Sequence, residues 1–166
     1  MRLLAGLIVL ALLSAAAHAA EATISLGDAH VRYDDTRWRA LPSADRVRFE
    51  PQGAIERKLD PVELHIADHT ASCADLAAAA FGIGLYDLNA FVSAPWTIGS
   101  VTGEHFAVRT RCRNATPTGV VGCVKVAGRT YILQAVQAGC TGHNLFSGID
   151  PLTEIAGGIS FSSKKP

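Results

Sequence analysis

The sequence predicts an α+β fold: one domain, a largely antiparallel sheet with one or two helices packed on it, stapled by two disulfides. Three observations carry this. Apolar residues alternate at period two in several short segments, as half-buried strands require. One segment, Ser72 to about Phe81, switches to helical spacing. Four cysteines, Cys73, Cys112, Cys123 and Cys140, all lie beyond an N-terminal export pattern. In an oxidising compartment they read as two disulfides before they read as a metal or redox site.

The export pattern occupies residues 1–19. Arg2 supplies the positive start, Leu3 to Leu13 the apolar stretch and Ala17-His18-Ala19 the small-residue cleavage motif. The run is too short for a membrane span, which needs about 18 or more apolar residues, and no cysteine sits immediately after the cleavage point to carry a lipid. The expected product is a periplasmic or secreted domain over residues 20–166, with no integral membrane segment after signal removal. About 147 residues can bury roughly two-thirds of their unfolded surface, so the disulfides reinforce a core and do not replace one.

Taken in order, Thr23 to Tyr33 alternates as one or two short strands with a bend at Gly27-Asp28, and Asp34-Asp35-Thr36 is turn chemistry before Trp38, a core anchor. In Arg46-Val47-Arg48-Phe49-Glu50, Val47 and Phe49 share a face, and Pro51 to Gly53 ends the strand. Val62-Glu63-Leu64-His65-Ile66 repeats the pattern, with Val62, Leu64 and Ile66 inward. The helix then carries Cys73, Leu76, Ala77, Ala80 and Phe81 on one stripe. Ser72 or Thr70 is its N-cap, Asp75 suits the positive end of the helix dipole, and Gly82 and Gly84 stop it. Segment 85–103, with Trp96 behind Pro95, fits neither period.

Glu104 to Arg113 alternates again, with Phe106, Val108 and Cys112 on one face and Arg109, Arg111 and Arg113 on the other. Asn114 to Gly119 is rich in turn formers. Val120–Val126 and Tyr131–Val136 are strands joined across Ala127-Gly128-Arg129-Thr130. After a loop at Gly142–Ser147, Pro151 to Ile159 suits a helix capped by Asp150, although Gly157 and Gly158 weaken its end. If Asn114–Gly119 closes a tight hairpin, Cys112 stands opposite Cys123, and Cys73 is left to pair with Cys140. One observation opposes this pairing among the three possible. Cys123 shares parity with Lys125 and not with Val124 and Val126, so a bulge at Gly122 is needed to repair the mismatch.

Formal charge is +0, from 15 basic and 15 acidic residues, which leaves no strong field for nucleic acid or an anionic membrane. Arginines cluster locally at Arg32, Arg37, Arg39, Arg46 and Arg48, and again at Arg109, Arg111 and Arg113. They read as solvated outward strand faces or as an anion-binding surface. His65 and His69 flank Asp68, but on a strand their spacing separates the side chains by about 13 Å. Asp28 and His30 share a strand face without an obvious third ligand. Cys140 followed by His143 suggests a thiol nucleophile beside a base, a role that a disulfide at Cys140 removes. No paired-Cys redox motif, nucleophile elbow, phosphate loop or dinucleotide glycine pattern occurs. Asn114-Ala115-Thr116 is a glycosylation sequon. No catalytic set, metal site or cofactor is expected from these residues.

The segment Tyr33-Asp34-Asp35-Thr36-Arg37-Trp38, followed by Arg46-Val47-Arg48-Phe49, resembles the opening hairpin of Mog1/PsbP-like domains. The tail is also similar: Thr130-Tyr131-Ile132-Leu133 as a late strand, then Phe146, a short helix around Leu152 to Ile155, and the closing Ile159-Ser160-Phe161. The resemblance implies an antiparallel sheet with helices against it. It also implies a role in binding other proteins, as accessory factor or chaperone, without shared catalytic residues.

The leading functional expectation is therefore an exported non-enzymatic domain that binds a protein or envelope component, with Arg109, Arg111 and Arg113 as the contact candidates. The alternatives are a small hydrolase or metal-dependent enzyme using His65, His69, Asp68 or His143, and a carrier of a small ligand beneath the helix.

Overall fold

The computed structural model describes residues 20–53, 61–67, 70–81, 91–108, 118–137 and 149–162. The first alternating segment is two strands, β1 (Glu21–Leu26) and β2 (Ala29–Asp34), turned at Gly27 with φ 59°. The Asp34 carboxylate accepts from the Thr36 hydroxyl at 2.6 Å and the Thr36 amide at 2.9 Å, closing the turn into β3 (Trp38–Pro42). β4 (Arg46–Pro51) and β5 (Val62–Ala67) follow. Helix α1 (Cys73–Phe81) is capped by Ser72, whose hydroxyl accepts from the Asp75 amide at 3.0 Å. In return the Asp75 carboxylate accepts from the Ser72 amide at 3.4 Å, so both of these end groups are satisfied.

Segment 85–103, which fitted neither period, holds β6 (Phe91–Ile98) and the start of β7 (Val101–Val108), turned at Gly99 with φ 58°. β8 (Thr118–Val126) and β9 (Arg129–Gln137) form a hairpin through Ala127 and Gly128, both with positive φ. The last helix, α2, runs Ile149–Gly158, and Ile159 opens β10 (Ile159–Phe161) instead of extending the helix. The cause is close packing: a Cβ on Gly158 would lie 2.1 Å from the Arg32 carbonyl oxygen, and Ile159 pairs with Val31.

Every strand pairing among the described residues is antiparallel. The large sheet has the order β3-β4-β5-β9-β8-β7-β6, and the small one β1-β2-β10. After β5 the chain crosses one face as α1, enters the far edge at β6 and meanders back through β7 and β8 until β9 reaches β5. It then crosses to α2 and closes the small sheet with β10.

Side-chain parity divides two cores. On the first face Trp38, Val47, Phe49, Leu64, Val124, Tyr131 and Leu133 pack against Leu152 and Ile155 of α2 and Val31 of β2. The Trp38 indole N–H donates to Glu154 at 3.1 Å, and the Tyr131 hydroxyl accepts from the Asp28 amide at 2.8 Å. On the second face Ala77 and Phe81 of α1 cover Phe106, Val121, Cys123 and Ile132.

The disulfide joins Cys73 to Cys123, with Cα atoms 5.9 Å apart. This overturns the expected Cys112–Cys123 and Cys73–Cys140 pairs; Cys112 and Cys140 themselves lie outside the described residues. The reason is register. β7 pairs with β8 through Val108 and Gly119, which puts Glu104 opposite Cys123. The parity that opposed the expected pairing marks the true environment: Cys123 faces α1 beside Val121, away from Val124. No bulge is involved, since the β8–β9 ladder runs unbroken through Gly122. The closed loop spans 50 residues, worth about 4 kcal/mol by the chain-entropy estimate.

Gly122 serves a different end. A Cβ there would lie 1.8 Å from the Trp96 ring, which rests on the strand at that point. Gly122→Ala should lower stability by about 1–3 kcal/mol through displacement of the indole. Urea unfolding of the variant checks this, and an unchanged midpoint would refute the packing.

Candidate functional site

The second face of the large sheet carries charge where α1 does not lie. Alternation in β3, β4 and β5 sends Trp38, Val47, Phe49, Val62 and Leu64 into the first-face core. The intervening Arg39, Arg48, Glu50 and Glu63 therefore share the opposite face. Register then sets their partners: Arg39 stands across from Glu50, Arg48 from Glu63, and Glu63 from Gln134. Arg39 donates to Glu50 at 2.6 Å, and Arg48 donates to Glu50 at 3.3 Å and to Glu63 at 2.7 Å. The Gln134 amide donates to Glu63 at 3.3 Å. The result is one hydrogen-bonded ladder across four strands.

The ladder dries from edge to centre: the Arg39 side chain is 61% exposed, that of Arg48 43%, and that of Glu63 17%. Isolated exposed pairs contribute only about 0–1 kcal/mol each, but Glu50 and Glu63 each accept from two donors, which holds the guanidinium groups in fixed positions. The Arg39 hydrogen bond, with lesser help from Arg48, holds the Glu50 carboxyl below the usual carboxylate range. Leu41, on the same edge strand, is the one exposed large hydrophobic residue among the described residues.

Of the early arginines, Arg37, Arg39, Arg46 and Arg48 each meet a carboxylate, with Arg37 on Glu154 at 2.9 Å and Arg46 on Asp45 at 3.4 Å. These four are paired strand-face residues and do not form an open anion site. Arg109, Arg111 and Arg113 lie outside the described residues, as do Asp68, His69 and His143.

The described histidines go to three places. His65 lies on the second face, opposite Arg46 and Ile132. His105 lies opposite Gly122 and meets the Trp96 edge with ring centroids 5.9 Å apart, on the first face. His30 belongs to the small sheet, where it bonds the hydroxyls of Ser25 at 2.8 Å and Ser162 at 2.6 Å. Asp28, its partner in the two-ligand reading, turns to Arg129 at 3.6 Å. Among the described residues no group of three or more His, Cys, Asp or Glu is arranged to hold a metal.

His65 has a shifted pKa. Burial pushes its pKa below the ordinary value, and the charge of Arg46 adds to the effect against weaker opposition from Glu63 and Asp45. Its Nδ1 is buried with no hydrogen-bond partner among the described residues.

Sequence alternation revealed which residues face outward, but it held no sign of the ladder. The missing information was register, since Arg48 and Glu63 are joined by a strand pairing and not by a local turn. No protein-family model matches the chain, and no curated protein matches it.

A depressed His65 pKa makes a prediction with a definite sign. The unfolded chain binds the His65 proton at about pH 6.5 while the folded protein does not. Stability should therefore fall as pH drops below about 6.5 toward the lowered folded value, with a slope of at most about 1.4 kcal/mol per pH unit from this group. His65→Gln should remove that component in urea titrations at pH 7.5 and 5.5. Parallel losses in both proteins would assign the pH response elsewhere.

Proposed function

We propose that this is an exported, non-enzymatic domain that binds a protein or envelope component in the periplasm or outside the cell. The observation that carries the reading is the Arg39–Glu50–Arg48–Glu63–Gln134 ladder, half-exposed beside Leu41. Guanidinium groups held by their own carboxylates, next to an exposed apolar side chain, have the composition of a recognition surface; arginine is enriched at interfaces. Export is supported by the residue 1–19 pattern together with the Cys73–Cys123 bond, which suits an oxidising compartment. No described helix is long and apolar enough to cross a membrane.

The likeness to Mog1/PsbP-like domains belongs to this reading. It is supported by an antiparallel sheet with a helix against each face, and by β9, α2 and β10 falling on the three similar tail segments. Arg109, Arg111 and Arg113 remain part of the proposed contact surface.

A second disulfide, Cys112–Cys140, completes the proposal. Its support is the even cysteine count and the row Val108–Gly119–Val136 at one end of the sheet. Two strand spacings of about 4.8 Å separate the outer members of that row. Cys112 and Cys140 follow within four residues of it, enough chain to bring their Cα atoms to the ~5.5–6 Å a disulfide needs.

Charge reversal tests the surface. Partners recovered from an envelope extract on the immobilised domain should bind about tenfold more weakly to Arg39→Glu/Arg48→Glu. Unaltered recovery, with Arg109→Glu/Arg111→Glu/Arg113→Glu equally silent, would remove both faces. Non-reducing peptide mapping should yield the linked pairs Cys73–Cys123 and Cys112–Cys140, and alkylatable thiols at Cys112 and Cys140 would dispose of the second bridge.

A further inference from the structure

The Cys73–Cys123 bond stands at a recess. Cys73 and Cys123 form part of the wall of a cavity of about 280 Å3, together with Thr102, Glu104, Lys125 and Thr130. Its size lies near the lower limit of ligand pockets, about 300 Å3, and suits a short side-chain-bearing segment. Two independent features give the recess chemistry. Cys73 is half-buried and is the first residue of α1, a nine-residue helix with its cap in place. A thiolate there lies in the field of the helix N-terminus, the setting that lowers cysteine pKa values and makes a thiol a good participant in exchange. Thr130 is 1% exposed, and its hydroxyl has no hydrogen-bond partner among the described residues. A buried hydroxyl without a partner is costly, and a rotation about the Thr130 χ1 that turns it toward a peptide carbonyl in the recess would relieve it.

Beyond the binding role proposed above, we infer that Cys73–Cys123 is a thiol-exchanging disulfide, consumed stoichiometrically and without enzymatic turnover, whose substrate is a cysteine-bearing peptide segment seated in this recess. The substrate thiolate attacks the Cys73 sulfur, the more accessible of the two, since Cys123 is 4% exposed. The sulfur–sulfur bond breaks, its electron pair leaves on the Cys123 sulfur, and that thiolate takes a proton from water. A second thiol of the same substrate, as thiolate, then attacks the mixed disulfide and releases Cys73 as thiolate. Two electrons have passed from the substrate dithiol to the Cys73–Cys123 bond, and the substrate leaves as a disulfide. Lys125 shares the strand face of Cys123 and favours thiolate at the site. Glu104, opposite Cys123, and Asp75, in the first turn of α1, oppose it. The absence of a Cys-x-x-Cys motif does not bear on this chemistry, because the fold brings together two cysteines 50 residues apart.

The test uses the oxidised full chain after export, with reduced glutathione as the cysteine-peptide probe, acid quenching, alkylation and peptide mapping. Glutathione should appear on Cys73 while the far-ultraviolet circular dichroism of the sheet is retained. In Cys123→Ser, Cys73 should take up glutathione from its disulfide form. Thr130→Val, which keeps the branched shape, should slow the wild-type exchange about fivefold, the worth of one hydrogen bond, and Lys125→Glu should slow it as well. Opening of Cys73–Cys123 only after the sheet signal is lost would overturn the proposal. So would exchange at a rate that neither Thr130→Val nor Lys125→Glu alters.

Discussion

Each described helix packs against β8 or β9, because those two strands bury side chains on both faces. Val124, Tyr131 and Leu133 enter the core beneath α2 and the small sheet, while Val121, Cys123 and Ile132 enter the one beneath α1. Full burial of such side chains is worth about 1.5–3 kcal/mol each, so a slip of one residue in either strand would exchange the two layers and lose both cores. The hairpin turn at Ala127-Gly128 sets the register, and the Cys73–Cys123 bond ties α1 to the face that this register gives it.

That constraint explains the charged ladder. With α1 over β7 and β8, the outward residues of β3, β4 and β5 can be polar, and strand pairing places opposite charges across from each other. Glu63, the most enclosed of the charged members, is also the one with donors on both sides, Arg48 and Gln134. The arrangement avoids the cost of a buried unpaired carboxylate. His65 on the same face lacks this compensation at its buried Nδ1 and responds by favouring the neutral form.

The cysteines show where local reading stops. Their number and their place after an export pattern were visible in the chain, and so was the parity of Cys123 with Lys125. That parity already excluded the face of Val124, but a tight hairpin at Asn114–Gly119 outweighed it, because turn chemistry indicates where a turn can form and not which residues it brings opposite. Likewise β6 was hidden: it contains Pro95, which is tolerated because β6 is an edge strand, and its Trp96 makes sense only against Gly122, 26 positions later in the chain. The alternating strands β2, β4, β5, β8 and β9 and the capped helix α1 were legible, since each has its own period and its own end signals.

By itself the sequence determined which residues turn inward, where α1 begins, and an architecture of antiparallel strands with helices packed on them. Those properties depend on side-chain period and on bonds reaching a few residues along the chain. Tertiary structure alone decided the strand order, the partner of Cys123, the joining of Arg39, Glu50, Arg48 and Glu63 into one ladder, and the dispersal of His30, His65 and His105 over separate surfaces. These depend on register between distant segments, and register follows from how both faces of the sheet can be buried at once.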